Sequence, residues 1–128
     1  MKIAATIARY LLGLMFLLAG SNALFHFLPT GPMPPGQAGE FANLLGTTHY
    51  MDVVGAIMVV SAILFLINRF VPLALVLLAP VLVNILLFHL LMAPKSIGAG
   101  LIVTLLWLLV ANRNRAAFRG LLQPRIQE

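Results

Sequence analysis

The chain has 128 residues, of which 62% are hydrophobic and 9% charged, and its mean hydropathy is +1.06. A soluble domain of this size cannot bury so much apolar surface, so the composition excludes an ordinary soluble fold and predicts a single domain with the lipid bilayer as its solvent. The net charge of +5 comes from basic residues at the ends of apolar runs, which favours membrane orientation over nucleic-acid binding; the absence of cysteine excludes disulfides, thiolate metal sites and dithiol redox relays.

The first predicted span covers residues 3–27, an apolar run long enough to cross a bilayer. A lysine ahead of an apolar core is also typical of a signal peptide. Arg9, however, lies where such a core should already be apolar, and the run continues through Phe27, past any suitable cleavage point. The sequence therefore favours a retained transmembrane helix.

Residues 28–49 form the predicted first outer loop. Its first part, LPTGPMPPG, has four prolines and two glycines in nine residues, so no helix continues through it. Its second part, QAGEFANLLGTTH, places Phe41, Leu44 and Leu45 at helical spacing. This spacing predicts a short helix that lies on the outer face of the membrane or dips into it, with Glu40 capping it or facing water.

Three further apolar runs predict spans at residues 50–67, 71–92 and 97–111. The segment NRFVP separates the second span from the third and carries a proline that suits the first turn of a helix. The segment APKSIG separates the third span from the fourth. The fourth span is short unless Ser96 and Asn112 join it.

Basic residues predict the orientation of these four spans. With a cytoplasmic N-terminus, the outer side holds only Lys95. The inner side holds Lys2, Arg9, Arg69, Arg113, Arg115, Arg119 and Arg125. Both termini are therefore predicted to be cytoplasmic, in the plasma (inner) membrane of a bacterium, with Arg9 snorkelling to the inner interface. The basic tail, residues 112–128, is typical of a short interfacial helix on anionic lipid and equally of a plain stop-transfer flank.

This orientation gathers polar residues near the outer interface. The candidate ligand-binding residues are Asn22, His26, Glu40, His49, Asp52, Asn84 and His89. Because a polar side chain facing lipid costs free energy, Asn84 and His89 are predicted to point into the bundle. Asn84 also has a structural interpretation, in which it bonds a carbonyl that Pro80 frees in the same helix.

His89 and Asp52 form the pair that the sequence favours most. An imidazole beside a carboxylate can relay a proton, hold a polar head group, or bind a metal ion with a second histidine. The spacing His49-x-x-Asp52 also places two polar side chains on one helical face, although so short a motif often arises by chance. His26 and His49 lie near interfaces, where a histidine needs no function.

Small residues predict close packing between helices. They are Gly13, Ala19, Gly20 and Ala23 in the first span, Gly55 and Ala56 in the second, and Gly98 and Gly100 at the start of the fourth. Trp107 is expected either to pack between helices or to reach the inner aromatic belt. The sequence contains no phosphate loop, nucleophile–base pair or dinucleotide fingerprint.

Two segments carry a resemblance to a known family. RYLLGLMFLLAGSNALFHF resembles the first helix of the DoxX and DoxX-like family of small four-helix membrane proteins. So does the long run from MDVVGAIM to FHLLMAP, with its RFVPLAL junction and the pattern P-x-x-x-N-I-x-x-F-H. The resemblance extends from Arg9 to about Trp107 and implies one DoxX-like transmembrane domain over residues 1–128.

The resemblance implies a link to membrane redox chemistry or to assembly. The family takes its name from the membrane subunit of a thiosulfate:quinone oxidoreductase, other members are linked to oxidative-stress complexes, and distant animal relatives act as receptor-assembly chaperones. Many members have a lysine after the glycine near the end of the first helix, where this chain has Asn22. The family supplies no set of catalytic residues to carry over.

The residues and the resemblance together predict an all-α polytopic membrane protein: an antiparallel four-helix transmembrane bundle with a short extra helix in the first outer loop. Its expected function is to bind a quinone, a lipid or another small ligand in an outer-leaflet polar pocket, as an accessory to membrane redox chemistry rather than as an enzyme on its own. Neither a metal ion nor haem is expected. The alternative is a non-catalytic scaffold that assembles with another membrane protein or with itself, through its small-residue faces or outer loop.

Overall fold

The computed structural model describes residues 2–29 and 31–125, and all the regular structure in these ranges is helical. The five α-helices are α1 (Lys2–Phe25), α2 (Gln37–Thr47), α3 (Tyr50–Ile67), α4 (Val71–Leu91) and α5 (Gly98–Arg113). Short 3-10 segments cover Pro94–Ser96 and Arg115–Leu122. The four long helices begin and end within two residues of the predicted spans, and α2 is the helix predicted in the first loop.

Three helices in the described part of the chain are long and apolar enough to cross a membrane. These are α1, α3 and α4, whose mean hydropathies are 1.8, 2.3 and 2.6. Helix α5 has only 16 residues, and it makes a fourth span only if it is counted with the 3-10 segment that follows it at an angle of 84°. These helices have the length and composition of the spans of an integral membrane protein.

Glycines bring α1 and α3 into close contact. A Cβ added at Gly20 would lie 2.8 Å from the carbonyl oxygen of Gly55, and one added at Gly55 would lie 3.0 Å from the Cβ of Ala23. Nearer the start of α1, a Cβ at Gly13 would lie 2.7 Å from the side chain of Leu66. The predicted small-residue packing is confirmed at Gly13, Gly20, Ala23 and Gly55, where it is used within the chain. These faces are therefore not free to receive a partner helix. The predicted packing is not observed at Gly98, where an added Cβ would meet nothing within 4 Å, and Ala19 and Ala56 are exposed.

The core lies where α1, α3, α4 and α5 meet. Its largest fully buried side chains include Leu12, Phe65, Leu75 and Leu78. Trp107 of α5 adds a polar link, because its indole Nε1–H donates to the carbonyl oxygen of Leu75 in α4 at 3.1 Å. Of the two roles expected for the tryptophan, packing between helices is the one observed.

Arg9 ties α1 to the end of α3. Its guanidinium donates a hydrogen bond to the carbonyl oxygen of Phe65, in the last turn of α3. The same group lies 4.4 Å from the centre of the Tyr10 ring, which favours a cation. The chain then turns tightly into α4, with left-handed backbone at Asn68 and Phe70 (φ of 56° and 54°). A basic residue inside an apolar run is thus held by a carbonyl at the helix end, which also accepts a hydrogen bond from the backbone N–H of Asn68.

Candidate functional site

The structure pairs Asp52 with His49 rather than with His89. His49 Nδ1 and Asp52 Oδ2 lie 2.9 Å apart, and the two side chains are 81% and 42% exposed. His49 immediately precedes α3, and Asp52 lies in the first turn, where a negative charge suits the helix dipole. The expected His89–Asp52 pair is corrected to a local, exposed pair, because residues three apart at a helix start are neighbours in space.

Three other predicted site residues have separate structural positions and do not form one site. The Asn22 side-chain oxygen accepts a hydrogen bond from the backbone N–H of Leu28 at 2.8 Å and so closes the turn after α1. His26 lies in that turn, exposed and with left-handed backbone (φ of 52°). Glu40 is exposed in the first turn of α2. Asn22 therefore shapes the backbone, while His26 and Glu40 lie on the surface.

Asn84 is exposed on α4, which corrects the prediction that it points into the bundle. Its side-chain N–H donates to the carbonyl oxygen of Pro80 at 2.9 Å. A proline lacks the N–H that would bond the carbonyl four residues earlier, so the carbonyl freed by Pro80 belongs to Val76. Asn84 thus bonds the carbonyl of the proline itself, on the face of α4 that points away from the other helices.

His89 is the predicted site residue that faces the interior. It is half-buried, and its Nδ1 lies 2.7 Å from the carbonyl oxygen of Ile85, one turn earlier in α4. The ring of Phe88 packs edge-on against it, with centroids 5.3 Å apart. Phe88 in turn lies 5.8 Å from Phe41 of α2. A chain of three rings therefore links the short loop helix to the imidazole.

An apolar cavity of about 170 Å³ opens beside His89. All four long helices contribute to it. Its lining consists of Met15, Phe16, Ala19, Met58, Ile85, His89, Ala99, Gly100 and Val103. The imidazole is the one polar side chain among these nine residues. A dry cavity of about 150 Å³ holds a single benzene ring, so this one has room for one six-membered ring.

The hydrogen bond to Ile85 determines what His89 offers a ligand. A carbonyl oxygen only accepts, so Nδ1 carries the hydrogen and donates it. In the neutral imidazole, Nε2 then has a lone pair and no hydrogen. Nε2 is therefore the acceptor that His89 has for a hydroxyl group, while the surface that lines the cavity is almost entirely carbon.

Most of the cavity lining carried no signal in the sequence. Methionine, phenylalanine and valine occur throughout the four apolar runs, and their convergence depends on how the helices pack. Besides His89, only Ala19 and Gly100 could be singled out from the sequence, as small residues expected to let helices approach. The helices do not need a glycine at Gly100 in order to approach, because an added Cβ would lie 3.5 Å from Ile85 and 3.9 Å from His89 Nδ1, at ordinary contact distance.

The described residues contain no group of three His, Asp or Glu side chains able to hold a metal ion. No protein-family model, curated protein or solved structure matches this chain. Over residues 2–29 and 31–125, the fold is that of an all-helical protein with three or four helices long and apolar enough to span a membrane. The resemblance to the DoxX-like family stays a prediction.

Proposed function

We propose that this protein is a DoxX-like four-helix transmembrane bundle that binds a small amphipathic ring, of the quinol class, beside His89. The observation that carries the proposal is an apolar cavity of about 170 Å³ whose one polar lining group is an imidazole. The role is that of a ligand-binding accessory to membrane redox chemistry, not of an enzyme acting alone. The termini are cytoplasmic in this proposal, so the cavity lies in the outer half of the plasma (inner) membrane of a bacterium.

The size of the cavity supports a ligand that is only partly enclosed. Sites that bury a whole drug-sized molecule measure roughly 300–1,000 Å³. A cavity of about 170 Å³ takes the ring and leaves an alkyl or isoprenoid tail outside among the lipid chains. The apolar lining matches a ring, and the lone pair on His89 Nε2 matches a phenolic hydroxyl. The quinol is therefore the form that this site favours over the quinone.

Replacement of His89 by phenylalanine is expected to lower quinol affinity about tenfold, since one hydrogen bond to the ligand is lost. The probes are a quinol with a short alkyl tail and the corresponding quinone. The measurement is the rise in thermal stability that each produces in the detergent-solubilised protein, because a ligand that binds the folded state stabilises it. Wild-type protein is expected to prefer the quinol about tenfold, and His89→Phe should abolish this preference.

The matched control is His26→Phe, which makes the same change at an exposed position in the turn after α1. It should leave both affinities unchanged. Equal stabilisation of the wild type by quinol and quinone would refute the acceptor role of His89. An unaltered quinol preference in His89→Phe would move the site away from this cavity.

A second candidate function, assembly without catalysis, is favoured by Asn84. Its carboxamide is exposed on α4 about 10 Å from the end of the helix, by a rise of about 1.5 Å per residue. A carboxamide both donates and accepts, so two copies of Asn84 facing each other across a twofold axis are complementary. A second copy of this chain is therefore the partner that α4 suits best.

In this second function, Asn84→Leu is expected to weaken dimerisation about threefold to tenfold, because interhelical hydrogen bonds in membranes contribute about 0.6–2 kcal/mol. Energy transfer between labelled copies in liposomes measures the dimer fraction. Val83→Leu, an apolar change at the neighbouring exposed position, is the control and should have no effect. A wild-type protein that stays monomeric at every density would rule out this role for Asn84.

A further inference from the structure

A second cavity lies at the opposite end of the helices from His89. It measures about 340 Å³ and is twice as large as the first. Helices α1 and α5 and the end of α3 form it. Its lining consists of Lys2, Ala5, Thr6, Arg9, Asn68, Val110, Arg113 and Asn114. These residues include three cations and no carboxylate, so the cavity is basic as well as polar.

The packing of the helices brings these three charges together. Lys2 opens α1, and Arg113 is the last residue of α5. Arg9 lies seven residues further along α1, about 10 Å deeper at a rise of about 1.5 Å per residue. Two charges therefore lie at the rim of the cavity and one lies at its inner part. A ligand with a compact negative group could contact all three at once.

Arg9 is already oriented for such a ligand. Its guanidinium donates to the Phe65 carbonyl and lies against the Tyr10 ring, and the side chain is half-buried. A guanidinium has five N–H donors in a rigid, planar fork, and the bond to Phe65 uses one of them. Little side-chain entropy remains to be lost on binding, so the other donors form a prearranged contact for phosphate oxygens.

The partial negative charges of the helix ends at this cavity compensate only part of the positive charge. Helices α3 and α5 both end here, and each carboxyl end carries about half a unit of negative charge. The start of α1 contributes about half a unit of positive charge. Lys2, Arg9 and Arg113 add three full positive charges. The cations therefore exceed what the helix ends require, and the surplus attracts an anion.

We propose that this basic cavity binds one phosphate group. Planar guanidinium groups match phosphate oxygens in geometry, and the lysine adds a point charge. An anionic membrane phospholipid and free inorganic phosphate are the two sources of such a group. The rim charges lie at helix ends, where lipid phosphates lie. A zwitterionic choline lipid fits less well, because its own cation would meet three others.

The test uses the full chain in mild detergent and native mass spectrometry. The probes are phosphatidylglycerol, phosphatidylcholine and inorganic phosphate. One phosphatidylglycerol is expected to remain bound per chain, at least about tenfold more than phosphatidylcholine. Displacement of phosphatidylglycerol by phosphate would assign the site to any phosphate group, and resistance to displacement would assign it to the lipid. Retention identifies the bound group, and substitution of a lining residue locates it.

Arg113→Gln is expected to lower phosphatidylglycerol retention about tenfold, the effect of one lost charge-assisted hydrogen bond. Arg113 is exposed, so the change should leave the helical circular dichroism spectrum intact. The matched control is Arg69→Gln, which removes the same charge from the same end of the protein but outside the cavity. Equal losses in the two variants, or equal retention of the two lipids by the wild type, would overturn the proposal, since either indicates only diffuse attraction.

Discussion

Gly20→Leu is expected to lower the free energy of unfolding by more than about 3 kcal/mol, the upper end of the usual cost of overpacking. Even the first carbon of the new side chain would lie 2.8 Å from the carbonyl oxygen of Gly55 and 2.9 Å from a methyl group of Val59. The oxygen belongs to the backbone of α3 and cannot rotate away. The helices must therefore separate, and the contacts on both sides of the crossing weaken together.

Gly20→Ala isolates the backbone clash from the bulk of leucine. Alanine gains about 1 kcal/mol in helix propensity over glycine, while the clash costs about 1–3 kcal/mol, so a net loss of stability is expected. Gly98→Leu is the matched control, because an added Cβ there meets nothing within 4 Å. Thermal unfolding in detergent, followed by circular dichroism, compares the variants. A Gly20→Leu protein as stable as Gly98→Leu would contradict this crossing of α1 and α3.

The helices could be predicted because their signals are local. Uninterrupted apolar runs specify the long helices, and the proline-rich segment before α2 specifies where helix formation stops. The least accurate boundaries are the ends of α1 and α5, each two residues from its prediction: α1 ends at Phe25, before the predicted end, and α5 continues to Arg113, beyond it. Polar residues at a helix end face water or head groups, so hydropathy alone cannot locate the last turn.

The direction in which each polar side chain points could not be predicted from the apolar runs. Asn84 and His89 are five residues apart, about 140° around a helix, so they cannot both face inward. Helix packing directs His89 to the cavity and leaves Asn84 exposed, whereas the cost of a polar group in lipid applied equally to both. For Asp52, the neighbour at spacing three was visible in the sequence, and this local partner is the one observed.

The two cavities differ in how much of each could be predicted from the sequence. The positive charges of the basic cavity were all assigned to one side of the membrane from the sequence. These charges lie beside Asn68 and Asn114 only because the start of α1 and the ends of α3 and α5 lie side by side, which depends on helix packing. The apolar cavity is harder still, because its lining resembles every other apolar surface in the chain and only His89 distinguishes it.

Gly100→Leu is expected to have the opposite effect on stability from Gly20→Leu, while abolishing ligand binding. A Cβ at Gly100 would lie at ordinary contact distance from its neighbours, 3.5 Å from Ile85 and 3.6 Å from Leu86. The isobutyl group then enters the cavity of about 170 Å³ and occupies the place proposed for the quinol ring. Leucine forms helix better than glycine by up to about 1 kcal/mol, and its contacts in the cavity add dispersion attraction, so the empty protein is expected to gain stability.

The measurement for Gly100→Leu is the thermal shift produced by the short-tailed quinol, together with the unfolding temperature of the empty protein. A bound ring and a leucine side chain cannot share one small cavity, so the shift should fall to nothing while the unfolding temperature holds or rises. Gly100→Ala is the control: it adds only a methyl group and should retain most of the quinol shift. A Gly100→Leu protein that folds and still responds to quinol would place the ligand elsewhere. One that unfolds would mean that α4 and α5 approach at Gly100 as closely as α1 and α3 do at Gly20, with no space for a ring between them.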